Sequence, residues 1–273
     1  MHLEYLKNEK HWGNDPYRPD LQGKVLEGKR GRILLTIYRA GGAGLHPTVL
    51  LSHGIPGLEK NFDLAMGLRR VGFHVVMYHY SGSWNSDGDY SFAHNLEDGE
   101  TVLEFILRDE EMGFDKEKLY AAGHSMGSFV TAHLAAKRKE IKAAVLLAPC
   151  DISGALLFGA EGERQMREIF AFGAPYLSGT TAEQLYAEAE REMDTYKISA
   201  LAEELAKIPV YCIGASLDGD CPTEVHAKPW VEAVWKAGGN VLYEEWETDQ
   251  SFSDMRFALV EKVTEFLVEQ VNK

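Results

Sequence analysis

The chain has 273 residues, of which 45% are hydrophobic and 26% charged; 42 acidic and 28 basic residues give a formal net charge of −14. This length suits one large α/β domain with room for an insertion. The negative charge disfavours nucleic acid and anionic membrane surfaces as partners, and the sequence has neither a long apolar run nor a secretory h-region, so we expect a cytoplasmic protein.

Short apolar runs alternate with longer helical patterns along most of the chain. Such alternation is typical of an α/β fold, with a mostly parallel sheet of about eight strands and helices on both faces. The predicted strands cover residues 32–38 (antiparallel), 48–52, 74–80, 119–124, 141–147, 209–213 and 240–243. The predicted helices between and after them cover residues 61–71, 96–107, 223–237 and 251–271.

One stretch interrupts this alternation. Between Pro149 and Ile208 there is no β-rich run, and helical patterns cover 163–172, 181–193 and 198–205. We therefore divide the chain into an α/β core, residues 1–150 and 207–273, and a helical lid insertion, residues 151–206. Its aromatic residues either roof the cleft or form the core of the lid itself: Phe158, Phe170, Phe172 and Tyr176.

The segment Gly123-His124-Ser125-Met126-Gly127 lies between a predicted strand and a predicted helix. A serine on a sharp strand-to-helix turn, flanked by glycines, is the arrangement of a nucleophile elbow, because only glycine leaves room beside such a turn. The pattern predicts that Ser125 is a catalytic nucleophile.

A serine nucleophile needs donors for the oxyanion and a carboxylate that orients its base. The turn His53-Gly54-Ile55-Pro56-Gly57 follows a buried strand, and Pro56 has no N–H. We therefore expect the N–H groups of Ile55 and Met126 to form the oxyanion hole.

Two acids follow the strand at 209–213. Asp218, four residues before Pro222, is the better placed of the two, and Asp220 is the alternative.

Together these segments, with Tyr80-Ser81-Gly82-Ser83-Trp84-Asn85-Ser86, resemble the α/β-hydrolase superfamily, and most of all its prolyl-oligopeptidase-like and esterase-like single-domain members. The resemblance implies a lid and a Ser-Asp-His triad, with the histidine in the loop after the last strand. That loop reads Thr248-Asp249-Gln250-Ser251-Phe252 here, so Gln250 stands in the position of the histidine.

A glutamine amide keeps hydrogen-bonding geometry, to Ser125 and Asp218 for example, but cannot act as a general base. Three explanations stay open: a deliberately disabled variant, a natural loss of hydrolase chemistry, or a substitute base, for which His79 and His226 are the leading candidates.

No cofactor is expected from this sequence. It has no phosphate-binding loop and no dinucleotide fingerprint, and Cys150, Cys212 and Cys221 lack the spacing of a metal site. Cys150 and Cys212 belong to apolar runs, where a cysteine is usually a small buried hydrophobe.

Two functions are compatible with these observations. The first is a serine hydrolase acting on a small carboxylic ester, thioester or amide, impaired by Gln250. The second is a catalytically silent protein that holds a ligand in the same cleft. The sequence leaves the oligomeric state open.

Overall fold

The computed structural model describes residues 1–273, and its strands form one sheet of eight in the order β1-β2-β4-β3-β5-β6-β7-β8. The first two strands pair in antiparallel fashion, as do β2 and β4, and all other neighbours are parallel. The strands are β1 (Asp20–Gly28), β2 (Gly31–Arg39), β3 (His46–Ser52), β4 (His74–Tyr78), β5 (Phe114–His124), β6 (Ile141–Leu147), β7 (Val210–Ala215) and β8 (Val241–Trp246). The predicted α/β fold is confirmed.

Ten α-helices cover the sheet and form the insertion. They are α1 (Phe62–Val71), α2 (Phe92–Arg108), α3 (Met126–Lys137), α4 (Ala160–Gly173), α5 (Ala182–Arg191), α6 (Met193–Tyr196), α7 (Ala202–Leu205), α8 (Thr223–His226), α9 (Lys228–Lys236) and α10 (Arg256–Val271). Short 3-10 helices cover Leu3–Leu6, Gly154–Phe158, Ala174–Tyr176 and Ile198–Leu201. None of the helices combines the length and the apolar character needed to span a bilayer.

The sheet separates two hydrophobic cores. Side chains alternate along each strand, so Leu50 and Val76 enter one core whereas Leu51 and Val75 enter the other. The larger core includes α2, α3 and α9, and the smaller includes α1 and α10. The segment from Met126 to Ala135 in α3 is buried on all sides, which explains its lack of a polar face.

The structure adds one strand and changes the bounds of several predicted elements: the strand predicted over 74–80 ends at Tyr78, the helix predicted over 96–107 begins at Phe92, and the helices predicted over 181–193 and 198–205 are each divided in two. The helix predicted over 223–237 is two helices, α8 and α9, and the helix predicted from residue 251 begins at Arg256. The strand predicted over 119–124 begins earlier, at Phe114. Strand β1 was not predicted because it is an edge strand with exposed side chains at Leu21 and Val25, so its sequence lacks an apolar run.

The topology fixes where functional residues can meet. Because β3 to β8 are parallel, the loops that follow β3, β5, β6, β7 and β8 gather at one edge of the sheet. The helical segment between β6 and β7 begins at the same edge.

Candidate active site

Ser125 occupies a sharp turn between β5 and α3. Its φ of 55° and ψ of −127° are unusual for a residue with a side chain, and strain of this kind clusters at functional sites. A Cβ at Gly123 would collide with the carbonyl oxygen of Gly127, and one at Gly127 would collide with that of Ser52. Both flanking glycines are therefore required by close backbone packing, as the elbow pattern predicts.

The turn after β3 packs directly against Ser125. A Cβ at Gly54 would lie 2.9 Å from the Cβ of Ser125. The Tyr80 hydroxyl donates to the carbonyl of His53 at 3.1 Å, and Trp84 Nε1 donates to the carbonyl of Pro56 at 2.6 Å. These two bonds hold the turn in position against the serine.

The N–H groups of Ile55 and Met126 donate no hydrogen bond within the protein. Met126 is the first residue of α3, where an N–H has no acceptor in its own helix. Both N–H groups therefore lack an acceptor within the protein, which is what an oxyanion donor requires.

Gln250 contacts the serine directly. Its Nε2 donates to Ser125 Oγ at 3.0 Å and also lies 3.5 Å from Cys221 Sγ. The expected bond from Gln250 to Asp218 does not form, and Cys221 is the second partner instead. An amide nitrogen is only a donor, so Ser125 Oγ accepts this bond and gives no proton to Gln250.

Asp218 is buried near this group, with 5% of its surface exposed. Its Oδ1 accepts the N–H groups of Asp220 and Cys221, each at 2.8 Å, whereas the buried Oδ2 has no hydrogen-bond partner. Burial raises the pKa of Asp218 to about 6. Asp220, the alternative acid, is exposed and lines the cavities at Ser125.

Neither of the two histidines proposed as substitute bases hydrogen-bonds to Ser125. The His79 ring packs against His53, with 5.5 Å between ring centroids, and burial lowers its pKa to about 4. His226 is fully buried, and its Nδ1 accepts the N–H of Asp151 at 3.1 Å. Neither histidine lines the cavities that reach Ser125.

Two adjoining cavities of about 210 and 370 Å³ open onto Ser125 and Gln250. Ile55, Phe172 and Asp220 line both. Helix α4 of the insertion supplies Glu168, Ile169 and Phe172 to the larger one. Of the four aromatic residues proposed as a roof, Phe172 is the one that lines the cavities.

Sequence reasoning missed two residues that contact Gln250. His124 Nε2 lies 2.7 Å from the carbonyl oxygen of Gln250, so this nitrogen carries the proton and donates. Cys221 contacts the Gln250 side chain. The position of His124 next to Ser125 in the sequence could have indicated its contact with Gln250. No feature of the sequence indicates the contact of Cys221.

Comparisons with known proteins agree with this architecture. A family model described as alpha/beta hydrolase fold matches residues 47–212. The esterase Est1E from Butyrivibrio proteoclasticus, solved with ferulic acid bound, is 18% identical with a TM-score of 0.69, over 92% of this chain and 100% of that one. Brefeldin A esterase, a bacterial homologue of human hormone-sensitive lipase, is 17% identical with a TM-score of 0.69, over 98% of this chain and 81% of that one.

Larger proteins contain the same fold. A protein described as a dipeptidyl aminopeptidase IV from Bacteroides ovatus is 15% identical with a TM-score of 0.72. The match covers 93% of this chain but only 36% of that protein, so this chain spans about a third of its length. The family model covers more than half of the present sequence, and the sheet order and elbow agree with it. The chain belongs to the α/β-hydrolase-fold family.

Proposed function

We propose that this protein is a serine hydrolase acting on a small carboxylic ester, thioester or amide, and that Gln250 limits its turnover. The observation that carries the proposal is Ser125 itself, on a strained turn that opens onto two cavities, with a side chain donating to its Oγ at 3.0 Å. The free N–H groups of Ile55 and Met126 support it, since they match an oxyanion hole.

In the proposed reaction, Ser125 Oγ attacks the substrate carbonyl carbon and the leaving group departs from the tetrahedral intermediate. The hydroxyl proton must be accepted as the new C–O bond forms, and Gln250 offers Nε2–H donors at that place. Removal of the histidine from a serine protease triad costs about 10⁶-fold in turnover. We therefore expect this chain to form an acyl-enzyme very slowly.

Asp218 fits the role of the acid in this scheme. Its buried Oδ2 has no partner, so it is available to the N–H of an imidazole at position 250. Such an imidazole would be held in one tautomer and stabilised as it gains the proton.

The test is the variant Gln250→His, assayed with p-nitrophenyl acetate and p-nitrophenyl butyrate. We expect kcat/KM to rise by about 10³-fold or more, and Ser125→Ala in that background to abolish the gain. Gln270→His near the end of α10 is the matched control and should leave the rate unchanged. A parent protein that already hydrolyses these esters rapidly, and loses that activity in Ser125→Ala, would refute our account of the base.

A second candidate is a catalytically silent protein that binds a ligand in the cleft. The bond from Gln250 to Ser125 Oγ favours it, because that bond occupies the nucleophile with a donor. Labelling with a fluorophosphonate separates the two functions. Labelling of Ser125 that increases in Gln250→His supports the hydrolase, and no labelling of either form supports the binding protein.

A further inference from the structure

A cluster of two thiols and one imidazole lies next to the loops that carry Ser125 and Asp218. The Sγ atoms of Cys150 and Cys221 and a ring nitrogen of His226 all lie within 4.8 Å of one another. None of the three residues is more than 2% exposed. They come from the loop after β6, the loop after β7, and α8.

The donor set is that of a zinc-type ion. Thiolate and imidazole are ligands that Zn²⁺ prefers, and three protein ligands leave a tetrahedral ion one open position. His226 Nε2 is buried and has no hydrogen-bond partner within the protein.

Binding of an ion through Nε2 affects the hydrogen bond at the other ring nitrogen of His226, Nδ1. His226 Nδ1 accepts the N–H of Asp151, so the neutral ring carries its proton on Nε2. Ligation through Nε2 moves that proton to Nδ1, which then faces the N–H of Asp151 as a second donor, so the bond is lost and both donors are left unpaired. Binding therefore costs one neutral hydrogen bond and two unpaired buried donors, and two metal–thiolate bonds and one metal–imidazole bond offset this cost.

Backbone and side-chain contacts connect the cluster to the candidate active site. The N–H of Cys150 donates to the carbonyl of Ser125 at 3.1 Å, and the N–H of Cys221 donates to Asp218 Oδ1 at 2.8 Å. Cys221 Sγ also contacts Gln250 Nε2 at 3.5 Å. An ion held here would fix the loops that carry Ser125 and Asp218.

We propose that Cys150, Cys221 and His226 form a buried site for a thiophilic divalent cation of the Zn²⁺ class. On binding, both thiols lose their protons to solvent and two metal–sulfur bonds form, with no change in oxidation state. This site is independent of whether the protein turns over an ester.

The test is a titration of the reduced, metal-free full chain with Co²⁺, which reports thiolate ligands through its near-ultraviolet charge-transfer band. We expect a saturating band at one cobalt per chain, displaced by Zn²⁺. Cys150→Ser and Cys221→Ser should each weaken binding by more than about tenfold, because removal of a ligand costs more than the loss of a residue that only orients one. Cys212→Ser is the matched control, because Cys212 is equally buried but lies outside the cluster, and it should leave the band intact.

No charge-transfer band in the parent protein, or an equal loss in all three cysteine variants, would overturn the proposal. X-ray absorption at the zinc edge of the loaded parent protein gives a readout that does not depend on variants folding. Two sulfur ligands per zinc support the site, and a shell of oxygen and nitrogen alone refutes it.

Discussion

Glu188 in α5 ties the helical insertion to the core, and its removal should destabilise the protein strongly. Its carboxylate accepts the N–H groups of Phe92 and Ala93 at 3.1 and 2.8 Å, and the Tyr196 hydroxyl at 3.0 Å. Phe92 and Ala93 are the first two residues of α2, where the helix dipole favours a negative charge. Glu188 is only 7% exposed, so water cannot replace these bonds easily.

The magnitude follows from the three donors that Glu188→Ala would leave unpaired. A hydrogen bond to a charged group contributes about 1.5 to 3 kcal/mol, but the buried charge also carries a desolvation cost. We therefore expect a loss of about 3 to 5 kcal/mol in the free energy of unfolding. Glu188→Gln keeps one acceptor oxygen and should lose about half as much. Tyr196→Phe removes one donor and should cost about 1 kcal/mol.

Urea denaturation followed by tryptophan fluorescence and circular dichroism measures these differences. Limited proteolysis shows whether residues 151–206 are cleaved first, as expected if the insertion detaches before the core unfolds. Glu190→Ala is the matched control, because Glu190 is an exposed glutamate on the same helix. A Glu188→Ala variant within about 1 kcal/mol of the parent would show that these contacts do not anchor the insertion.

Three further predictions follow from other contacts. Gly127→Ala should destabilise the fold by about 3 kcal/mol, because its Cβ collides with the carbonyl of Ser52; a thermal melt matching the parent would contradict this packing. In the Gln250→His background, His124→Phe should lower kcat by about tenfold because the carbonyl of residue 250 loses its donor, whereas His124→Gln should recover part of the rate. Burial lowers the pKa of His74 to about 3 in the folded protein. Below about pH 6.5 the unfolded chain therefore binds more protons than the folded protein, which lowers the free energy of unfolding by about 2 kcal/mol at about pH 5. His74→Gln should therefore lose less stability than the parent between about pH 7.5 and pH 5, and equal losses in urea titrations would refute this assignment.

The alternation of apolar runs and helical patterns was enough to predict the fold class. A parallel strand is covered by helices on both faces, so its residues are apolar on both sides. The nearly continuous apolar run of β6 is an example, and such a run indicates this burial. The elbow could also be predicted, because glycines at 123 and 127 on either side of Ser125 form a pattern visible in the sequence itself. The position of Gln250 was located through the resemblance to the α/β-hydrolase superfamily, which places the triad histidine in the loop after the last strand.

Contacts between distant segments were decided only by the tertiary structure. Cys150 and Cys221 looked like unrelated residues, and the order of the parallel strands brings them beside His226. The same order gives Gln250 a thiol rather than Asp218 as its second partner. Sequence periodicity reports which face of an element is buried, but not which loop of another element that face meets. The sequence therefore determined the scaffold and the chemistry available at each position, and the folding of the sheet determined which of those groups touch.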